Sequence, residues 1–217
     1  MLCENCGTKL QDNPDINPKL GENSKTPIFV SKNSHHSMKS TPRDSERKYV
    51  TILFSDLSVY TSMSEKLDPE EVKEIMGLIF SKITEIIKGF DGHIEKFIGD
   101  AVMAAFGIPK AHEDDPIRAI KAALKMHTAV IELNPKYENI IGTPLSLHTG
   151  INTGLVVTGK DDVHKGTLGL TGDTINLSSR LEGLANANEI IVGPDTYRQS
   201  MGYFDFETLG PVKVKGK

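Results

Sequence analysis

Regularly spaced apolar residues begin near residue 48 and continue through the rest of the chain. Residues 49–54 form a β-rich run that stops at Ser55-Asp56, which is typical of a buried strand with a polar end. The sequence Asp68-Pro69-Glu70-Glu71 predicts a helix start, because it combines a capping residue, a proline and two acids. Apolar residues spaced by three and four then run from Val72 to Phe90, so this helix is expected to bury one face.

Further turns and apolar runs predict the remaining elements. Asp91-Gly92 is a turn signal of the hairpin type. Strands are expected on both sides of the Gly99-Asp100 turn, and helices are expected over residues 115–133 and from about Asp173. Shorter strands are predicted at residues 145–152, 155–158, 189–192 and 210–217. The order β-α-β-β-α-β indicates an α+β fold of the ferredoxin-like plan, with an antiparallel sheet and both helices packed on one face.

Residues 1–47 differ from this pattern, since they hold four prolines, many Asn, Ser and Lys residues and few apolar clusters. Such a segment buries too little apolar surface to offset its ordering entropy. We therefore predict a flexible N-terminal segment before a folded domain at residues 48–217. Cys3 and Cys6 form a C-x-x-C-G that resembles half of a zinc-ribbon knuckle. Zinc needs four ligands, so either two chains share one ion or the pair is idle, and the idle interpretation is favoured.

The composition narrows the class of protein. The chain has 217 residues, of which 38% are hydrophobic and 25% are charged, and its net charge is −4. A mildly acidic chain without a basic stripe is not expected to bind nucleic acid. No apolar run approaches the roughly 20 residues of a membrane helix, and residues 1–12 lack the apolar core of a signal peptide. Because two cysteines supply no disulfide framework, the expected compartment is the cytoplasm.

Two aspartates lie where predicted strands end. Asp56 closes the first strand, and Asp100 occupies the tight turn between the next two. If these strands are neighbours, the carboxylates converge at one sheet edge, where oxygen ligands suit a hard cation such as Mg²⁺. Residues 57–62 turn into a helix whose free amides could hold a phosphate, which suggests two-metal phosphoryl transfer. The alternative is that Asp56 caps a helix and Asp100 only forms a turn, and spacing alone does not separate the two.

Asn176 and Arg180 are four residues apart on the third predicted helix and therefore share a face. An amide and a guanidinium side by side can stabilise charge on a phosphoryl group and on a ribose oxygen. The alternative is a solvated surface pair, which spacing alone favours.

Three strings resemble the class III nucleotidyl cyclase catalytic domain: FSDL at residues 54–57, EKFIGDAVM at residues 95–103 and TGDTINLSSRLE at residues 171–182. Their order and spacing are similar to those of the family, and the resemblance covers about residues 48–217. The C-x-x-C head also resembles multidomain bacterial members of the family, which implies a C-terminal regulatory domain beyond this chain.

The resemblance implies a role for each matched residue. Asp56 and Asp100 match the two metal-binding aspartates, with the Leu57 carbonyl completing a site for two Mg²⁺ or Mn²⁺ ions. Lys96 matches a lysine that donates to a ring nitrogen of adenine, and since guanylate cyclases carry an acid there, Lys96 favours ATP. The other matches are Asn176, which orients the ribose, Arg180, which neutralises the α-phosphate, Lys215, which contacts the triphosphate, and Tyr60 and Thr61 in the first phosphate turn.

The same resemblance implies an active site assembled across a head-to-tail homodimer. The aspartates would come from one chain, and the base, ribose and phosphate contacts from the other, which gives two equivalent sites. The expected function is an adenylate cyclase that converts ATP to cyclic AMP and pyrophosphate by in-line attack of the ribose 3′-hydroxyl on the α-phosphate.

Three departures from the family pattern leave alternatives open. Gly169 stands where relatives place an Asp or Thr that reads the adenine amino group, unless Thr167 or a backbone carbonyl substitutes. Val59 replaces a glycine in the first phosphate turn, where a β-branched residue restricts the backbone. The chain also ends at Lys217, before a strand that relatives usually have. The alternatives are a weak or inactive nucleotide-binding signalling module, or a cyclase with relaxed ATP and GTP preference.

Overall fold

A computed structural model describes residues 46–159 and 167–210. Within these ranges, no helix is long and apolar enough to cross a membrane. Cys3, Cys6 and Lys215 lie outside the described residues, as does the strand predicted at residues 210–217 apart from its first residue. The strands are β1 (Glu46–Leu57), β2 (His93–Ile98), β3 (Ala101–Phe106), β4 (Leu147–Thr158) and β5 (Ile190–Val192). The helices are α1 (Tyr60–Lys66), α2 (Pro69–Gly89), α3 (Asp115–Ile131), α4 (Asn134–Ile141), α5 (Asp173–Glu182) and α6 (Pro194–Ser200).

The five strands form one sheet in the order β2-β3-β1-β4-β5. The first four strands pair antiparallel, and β5 adds to β4 as a parallel edge. The predicted ferredoxin-like order is therefore confirmed, with one parallel strand added. The helix start predicted at Asp68 is also confirmed, since the Asp68 N–H donates to Glu71 Oε2 at 3.1 Å in a capping box.

Alternate residues of β1 point to opposite faces of the sheet, and each face has its own core. The larger core covers one face with α2 and α3, which confirms the prediction that both helices pack together. The other face holds a smaller core together with α5. Its members from the strands are Val50, Ile52, Phe54, Met103, Ala105 and Val156, and Leu168, Leu170 and Ile175 pack with them.

The structure corrects three details of the predicted elements. Residues 145–152 and 155–158 are not two strands, because β4 runs unbroken through Gly154. Asp91-Gly92 does not form a hairpin, since it joins the end of α2 to β2, with Asp91 at φ 58°. Helices α4 and α6 were not predicted, because they have only 8 and 7 residues and short apolar patterns carry little periodicity.

Glycines in β4 allow α5 to pack against the sheet backbone. The Ser178 hydroxyl lies 2.8 Å from the carbonyl oxygen of Ile52 and 2.9 Å from that of Gly150. A Cβ atom at Gly150 would overlap the Ser178 carbonyl and the Glu182 amide. A Cβ atom at Gly154 would lie 2.6 Å from Thr174 Oγ1. Both glycines are therefore required by the close approach of the helix and not by a turn.

Substitution Gly150→Ala is expected to lower the free energy of unfolding by about 2–3 kcal/mol, because the added methyl group displaces α5 from the sheet. Urea denaturation measures the change. Gly77→Ala is the matched control, since Gly77 is exposed on α2 and its Cβ would meet no atom within 4 Å. That control should stabilise the protein by about 0.5–1 kcal/mol. Equal stability of the Gly150→Ala variant and the wild type would contradict the close packing.

A buried chain of polar side chains joins α3 to the centre of the sheet. His127 Nε2 lies 2.8 Å from Thr149 Oγ1, and Ser55 Oγ lies 2.8 Å from the same oxygen. His127 is only 6% exposed, and its Nδ1 has no hydrogen-bond partner among the described residues. Burial, assisted by the charge of His148, lowers the pKa of His127 from its ordinary 6.5 to about 4.

The protein is expected to lose stability as pH falls from about 6.5 to 4. In this window the unfolded chain protonates His127 while the folded chain does not, so protons favour unfolding. Between about pH 7 and pH 5 the free energy of unfolding should fall by about 2 kcal/mol through this group. Urea unfolding at both pH values, compared between wild type and His127→Gln, isolates the effect. An equal pH-dependent loss in both proteins would show that His127 titrates normally.

Candidate active site

The two aspartates singled out by the sequence lie at the same end of neighbouring strands. Asp56 is the penultimate residue of β1, and Asp100 lies in the turn between β2 and β3. Since Ser55 pairs with Val102 across β1 and β3, this turn lies beside Asp56. Asp56 is half-buried, and its Oδ1 accepts the Leu57 N–H at 2.9 Å. The predicted convergence of strand ends is therefore present within one chain.

The electrostatics of the pair fit a cation site. Burial raises the pKa of Asp56 above its ordinary value, and the neighbouring Asp100 carboxylate raises it further. The Leu57 amide and the charge of His148 act in the opposite direction and are weaker. Half-buried carboxylates that repel each other form the oxygen-rich donor set that hard divalent cations prefer. The residues present therefore fit Mg²⁺ or Mn²⁺.

Two further side chains, which sequence reasoning missed, join this site. His148 pairs with Asp56 across β1 and β4, and its Nε2 lies 3.9 Å from Asp56 Oδ2. On the other side of the imidazole, His148 Nδ1 lies 3.0 Å from Glu182 Oε1. Ligand atoms of these three residues lie within 4.8 Å of one another, and in the described part of the chain they form the one such histidine and acid group. The antiparallel pairing of β1 and β4 was the missing information.

The His148 imidazole separates two carboxylates that would otherwise repel each other. Burial raises the pKa of Glu182, and the charges of Asp56 and Asp100 raise it further, while His148 opposes the shift. Each ring nitrogen faces a different carboxylate, so the ring bridges Asp56 and Glu182. Glu182 thereby orients the ring, and the ring limits where the Asp56 carboxylate can lie.

The predicted phosphate turn lies directly after Asp56. Helix α1 begins at Tyr60, and both Tyr60 and Thr61 are exposed beside the turn. Val59 has a φ of −119° and a ψ of 9°, which lie between the main helical and extended regions, so a β-branched residue occupies a sparsely populated conformation here. The Val59 side chain is 6% exposed and packs in the larger core, which anchors the turn.

Asn176 and Arg180 do not join the aspartates of the same chain. Thr174 and Ser178 turn one side of α5 to the sheet, whereas Asn176 is exposed and Arg180 half-buried. Arg180 and Glu182 are two residues apart, which places them about 200° apart around the helix. Since Glu182 reaches His148, Arg180 points away from that cluster. Arg180 has no ion-pair partner within residues 46–159 and 167–210.

Lys96 and Gly169 lie on the sheet face that carries α5. Lys96 pairs with Met103, whose side chain belongs to the smaller core, and the Lys96 side chain is exposed. Gly169 is half-buried and has a φ of 57°, a left-handed conformation that a side chain would strain. Residues around it pack on this core through Leu168 and Leu170.

Residues 112–115, which include three acids, lie at the start of α3, and the two aspartates contact neighbouring residues. The His112 N–H donates to Asp115 Oδ2 at 2.8 Å, and Arg118 Nε lies 2.8 Å from Asp114 Oδ1. Arg118 also reaches Asp91 at 2.9 Å. These contacts hold the acids at the start of the helix, where negative charge is favourable to the helix dipole.

Comparison with known proteins agrees with this arrangement of strands and acids. Residues 43–217 match the family model described as the adenylate and guanylate cyclase catalytic domain. The chain belongs to this family. The cyclase domain is 31% identical over 176 residues to adenylate cyclase 1 of Rhizobium meliloti (79% of this chain, 26% of that protein). It is 30% identical over 170 residues to the rat guanylate cyclase soluble subunit beta-2 (77% of this chain, 24% of that protein).

Solved structures of both kinds of cyclase share the fold. The adenylyl cyclase CyaB from P. aeruginosa is 29% identical, with a TM-score of 0.75, and the match covers 80% of this chain and 90% of that chain. The guanylyl cyclase Cya2 is 34% identical, with a TM-score of 0.70 and coverage of 80% and 89%. The chain spans about a quarter of the length of the curated relatives named above.

Manganese binding to the cyclase domain is expected to weaken as pH falls. Because the pKa of Asp56 is raised, a proton competes with the cation at higher pH than at an ordinary aspartate. Electron paramagnetic resonance titration of Mn²⁺ between about pH 8 and pH 5 should show an affinity that falls as the pH falls. Asp56→Asn should bind about tenfold more weakly and with a flatter pH profile.

Asp205→Asn is the control for the manganese titration, since Asp205 is exposed and far along the chain from the aspartate pair. It should leave both affinity and pH profile unchanged. Wild-type affinity that does not vary with pH would contradict the raised pKa of Asp56. Normal binding by Asp56→Asn would contradict the assignment of the site.

Proposed function

We propose that the chain is an adenylate cyclase domain that converts ATP to cyclic AMP and pyrophosphate. The observation that carries the proposal is the half-buried pair Asp56 and Asp100, whose mutual repulsion a divalent cation would relieve. Membership of the cyclase family supplies the reaction class, and Lys96 supplies the preference for ATP. A lysine donates hydrogen bonds only, and the ring nitrogen N1 of adenine accepts one whereas N1–H of guanine does not.

The roles of the chain's own residues follow from their chemistry. Asp56, Asp100 and the Leu57 carbonyl would hold the cations. Two divalent cations, when bound, supply Lewis-acid activation of the ribose 3′-hydroxyl and neutralise triphosphate charge. Asn176 orients the ribose, and Arg180 stabilises charge on the α-phosphate. Tyr60 and Thr61 border the phosphates, and Lys215 contacts the triphosphate.

The bonds change in one in-line step. The ribose 3′-oxygen forms a bond to the α-phosphorus as the bond from that phosphorus to the bridging oxygen of the β-phosphate breaks. The hydroxyl proton passes to water, and pyrophosphate leaves. Positioning and electrostatics supply the acceleration, and no covalent enzyme intermediate forms.

The site is proposed to be shared across a head-to-tail homodimer. Support comes from α5, where Arg180 lies on the side of the helix opposite Glu182 and the Asp56 cluster. Arg180 and Asn176 of one chain would then serve the aspartates of the second copy. The symmetry gives two equivalent sites, each made from half of each chain.

A product assay tests the reaction. The purified chain is incubated with Mn²⁺ and either ATP or GTP, and cyclic nucleotides are identified by mass. Cyclic AMP from the wild type and none from Asp56→Ala is the expected result. Equal amounts of cyclic AMP and cyclic GMP would favour a second candidate, a cyclase of relaxed base preference, which the missing side chain at Gly169 supports. No product from either nucleotide would overturn the proposal.

Mixing two inactive variants tests the shared site. Asp56→Ala and Arg180→Ala should each be inactive alone, because each destroys both sites of a homodimer. After mixing, about half of the dimers are mixed and each holds one intact site, so about a quarter of wild-type activity should return. Absence of recovery, with mixed dimers demonstrated by mass spectrometry, would place all catalytic residues within one chain.

A further inference from the structure

Glu95 is a buried carboxylate on a strand at the sheet edge. It is 5% exposed, although Lys96, Phe97 and Ile98 beside it on β2 are exposed. Its Oε2 accepts the Leu168 N–H at 2.8 Å, and its Oε1 accepts the Leu170 N–H at 3.4 Å. Both oxygens therefore hold the backbone of a segment more than 70 positions away in the chain. A buried carboxylate bound to two amides ties the segment to β2 far more firmly than apolar packing alone.

The pairing of β2 with β3 shifts by one residue at Glu95. Ile94 pairs with Ala104 and Lys96 pairs with Met103, so Glu95 is the extra residue of a bulge. In a regular ladder Lys96 would instead pair with Val102, whose side chain lies in the larger core on the opposite face. The bulge thus turns Lys96 to the face that carries residues 168–170. Phe97, which follows the bulge, returns to the other face and packs on Phe80 of α2 with ring centroids 4.4 Å apart.

The segment held by Glu95 presents an unpaired backbone unit. Gly169 lies between the two bound amides, and no residue in the described ranges forms a hydrogen bond with its own N–H or carbonyl. The segment is also tied to β4, since the Gly159 N–H donates to the Leu168 carbonyl at 3.2 Å. Thr171 and Val157 exchange two hydrogen bonds of 2.8 and 2.9 Å. Gly169 is therefore tied in place on both sides, and its own amide and carbonyl have no hydrogen-bond partner within residues 46–159 and 167–210.

We infer that Glu95 is a positioning residue for base selection, which holds the Gly169 backbone and Lys96 at a set separation so that they accept adenine and reject guanine. This inference rests on the proposed function. Adenine offers an acceptor at N1 and an amino donor at position 6, which match a lysine donor and a backbone carbonyl. Guanine reverses both groups, with a donor at N1 and an acceptor at position 6. A rigid pair of contacts therefore rejects guanine, whereas a mobile segment could rearrange to accept it.

The experiment compares base selectivity in wild type and Glu95→Gln. The substitution keeps the size of the side chain but replaces one acceptor oxygen with a donor that opposes a backbone N–H. The ratio of kcat/KM for ATP to that for GTP is expected to fall about tenfold. Most of the change should appear in KM, with kcat for ATP within about threefold of wild type, because the groups around the α-phosphate are untouched. Glu95→Asp, which is one methylene shorter, should give an intermediate ratio.

Two controls separate base positioning from general damage. Glu132→Gln makes the same chemical change at an exposed position after α3 and should leave the ratio unchanged. Amide hydrogen exchange should show faster exchange at Leu168 and Leu170 in Glu95→Gln, with the protection of β1 and β4 preserved. An unchanged ATP to GTP ratio in a folded Glu95→Gln protein would overturn the inference and leave the cyclase proposal intact. The inference would also be overturned if the Leu168 and Leu170 amides of the wild type exchanged at the rate of free amides.

The outcome remains interpretable if the wild type forms no cyclic nucleotide. That result would overturn the proposed function, and equilibrium dialysis with labelled ATP and GTP would then compare binding to wild type and Glu95→Gln. A tenfold drop in the ATP to GTP binding ratio would support the role of Glu95 in a non-catalytic nucleotide site. Equal binding ratios, or no binding of either nucleotide, would overturn the inference as well.

Discussion

The contact between α5 and β4 determines how the side chains of the candidate active site are placed relative to one another. It depends on Gly150 and Gly154, which let the helix approach the strand backbone until the Ser178 hydroxyl reaches two sheet carbonyls. At this separation Glu182 meets His148, and through His148 it faces Asp56. The same contact turns Arg180 to the opposite side of the helix, because side chains two positions apart cannot share a face. One packing constraint thus both completes the acidic cluster and directs the guanidinium away from it.

The two faces of the sheet differ: one carries the larger apolar core, and the other carries the side chains of the candidate site. The face under α2 and α3 is covered by the larger apolar core, and a buried polar chain that links His127, Thr149 and Ser55 lies on the same face. The opposite face has a smaller core and is bordered at one end by Asp56 and His148 and along the β2 side by Lys96. The charged and polar side chains of the candidate site therefore lie on the face with the smaller apolar core. The buried His127 chain on the opposite face supports β1 and β4, the strands that carry Asp56 and His148.

The proposed nucleotide site uses two kinds of constraint. At the metal end, burial and the neighbouring Asp100 charge raise the pKa of Asp56, so cation binding there would be coupled to proton release. At the base end, the β2 bulge and the Glu95 carboxylate determine where donors and acceptors lie. Relatives named as adenylate and as guanylate cyclases share this fold, so the fold alone does not select the base. In the proposed site, selection depends on local groups such as these.

The sequence by itself predicted the features that are encoded by neighbouring residues. The Asp68 helix start, the β1 strand and the Gly99-Asp100 turn all depend on local spacing, and the strand order followed from their succession. Local spacing could not reveal that β4 continues through Gly154, because a glycine that makes room for a helix looks the same as one that makes a turn.

Only the tertiary structure placed His148 and Glu182 beside Asp56, since strand register and helix packing unite residues that are far apart in the chain. It also showed that Glu95 is buried and holds the backbone at Leu168 and Leu170, and that Lys96 lies on the same face of the sheet as that segment. Both features depend on a one-residue bulge in β2. The alternation of polar and apolar residues over 93–98 does not predict this bulge, because the pairing with β3 determines where the extra residue lies.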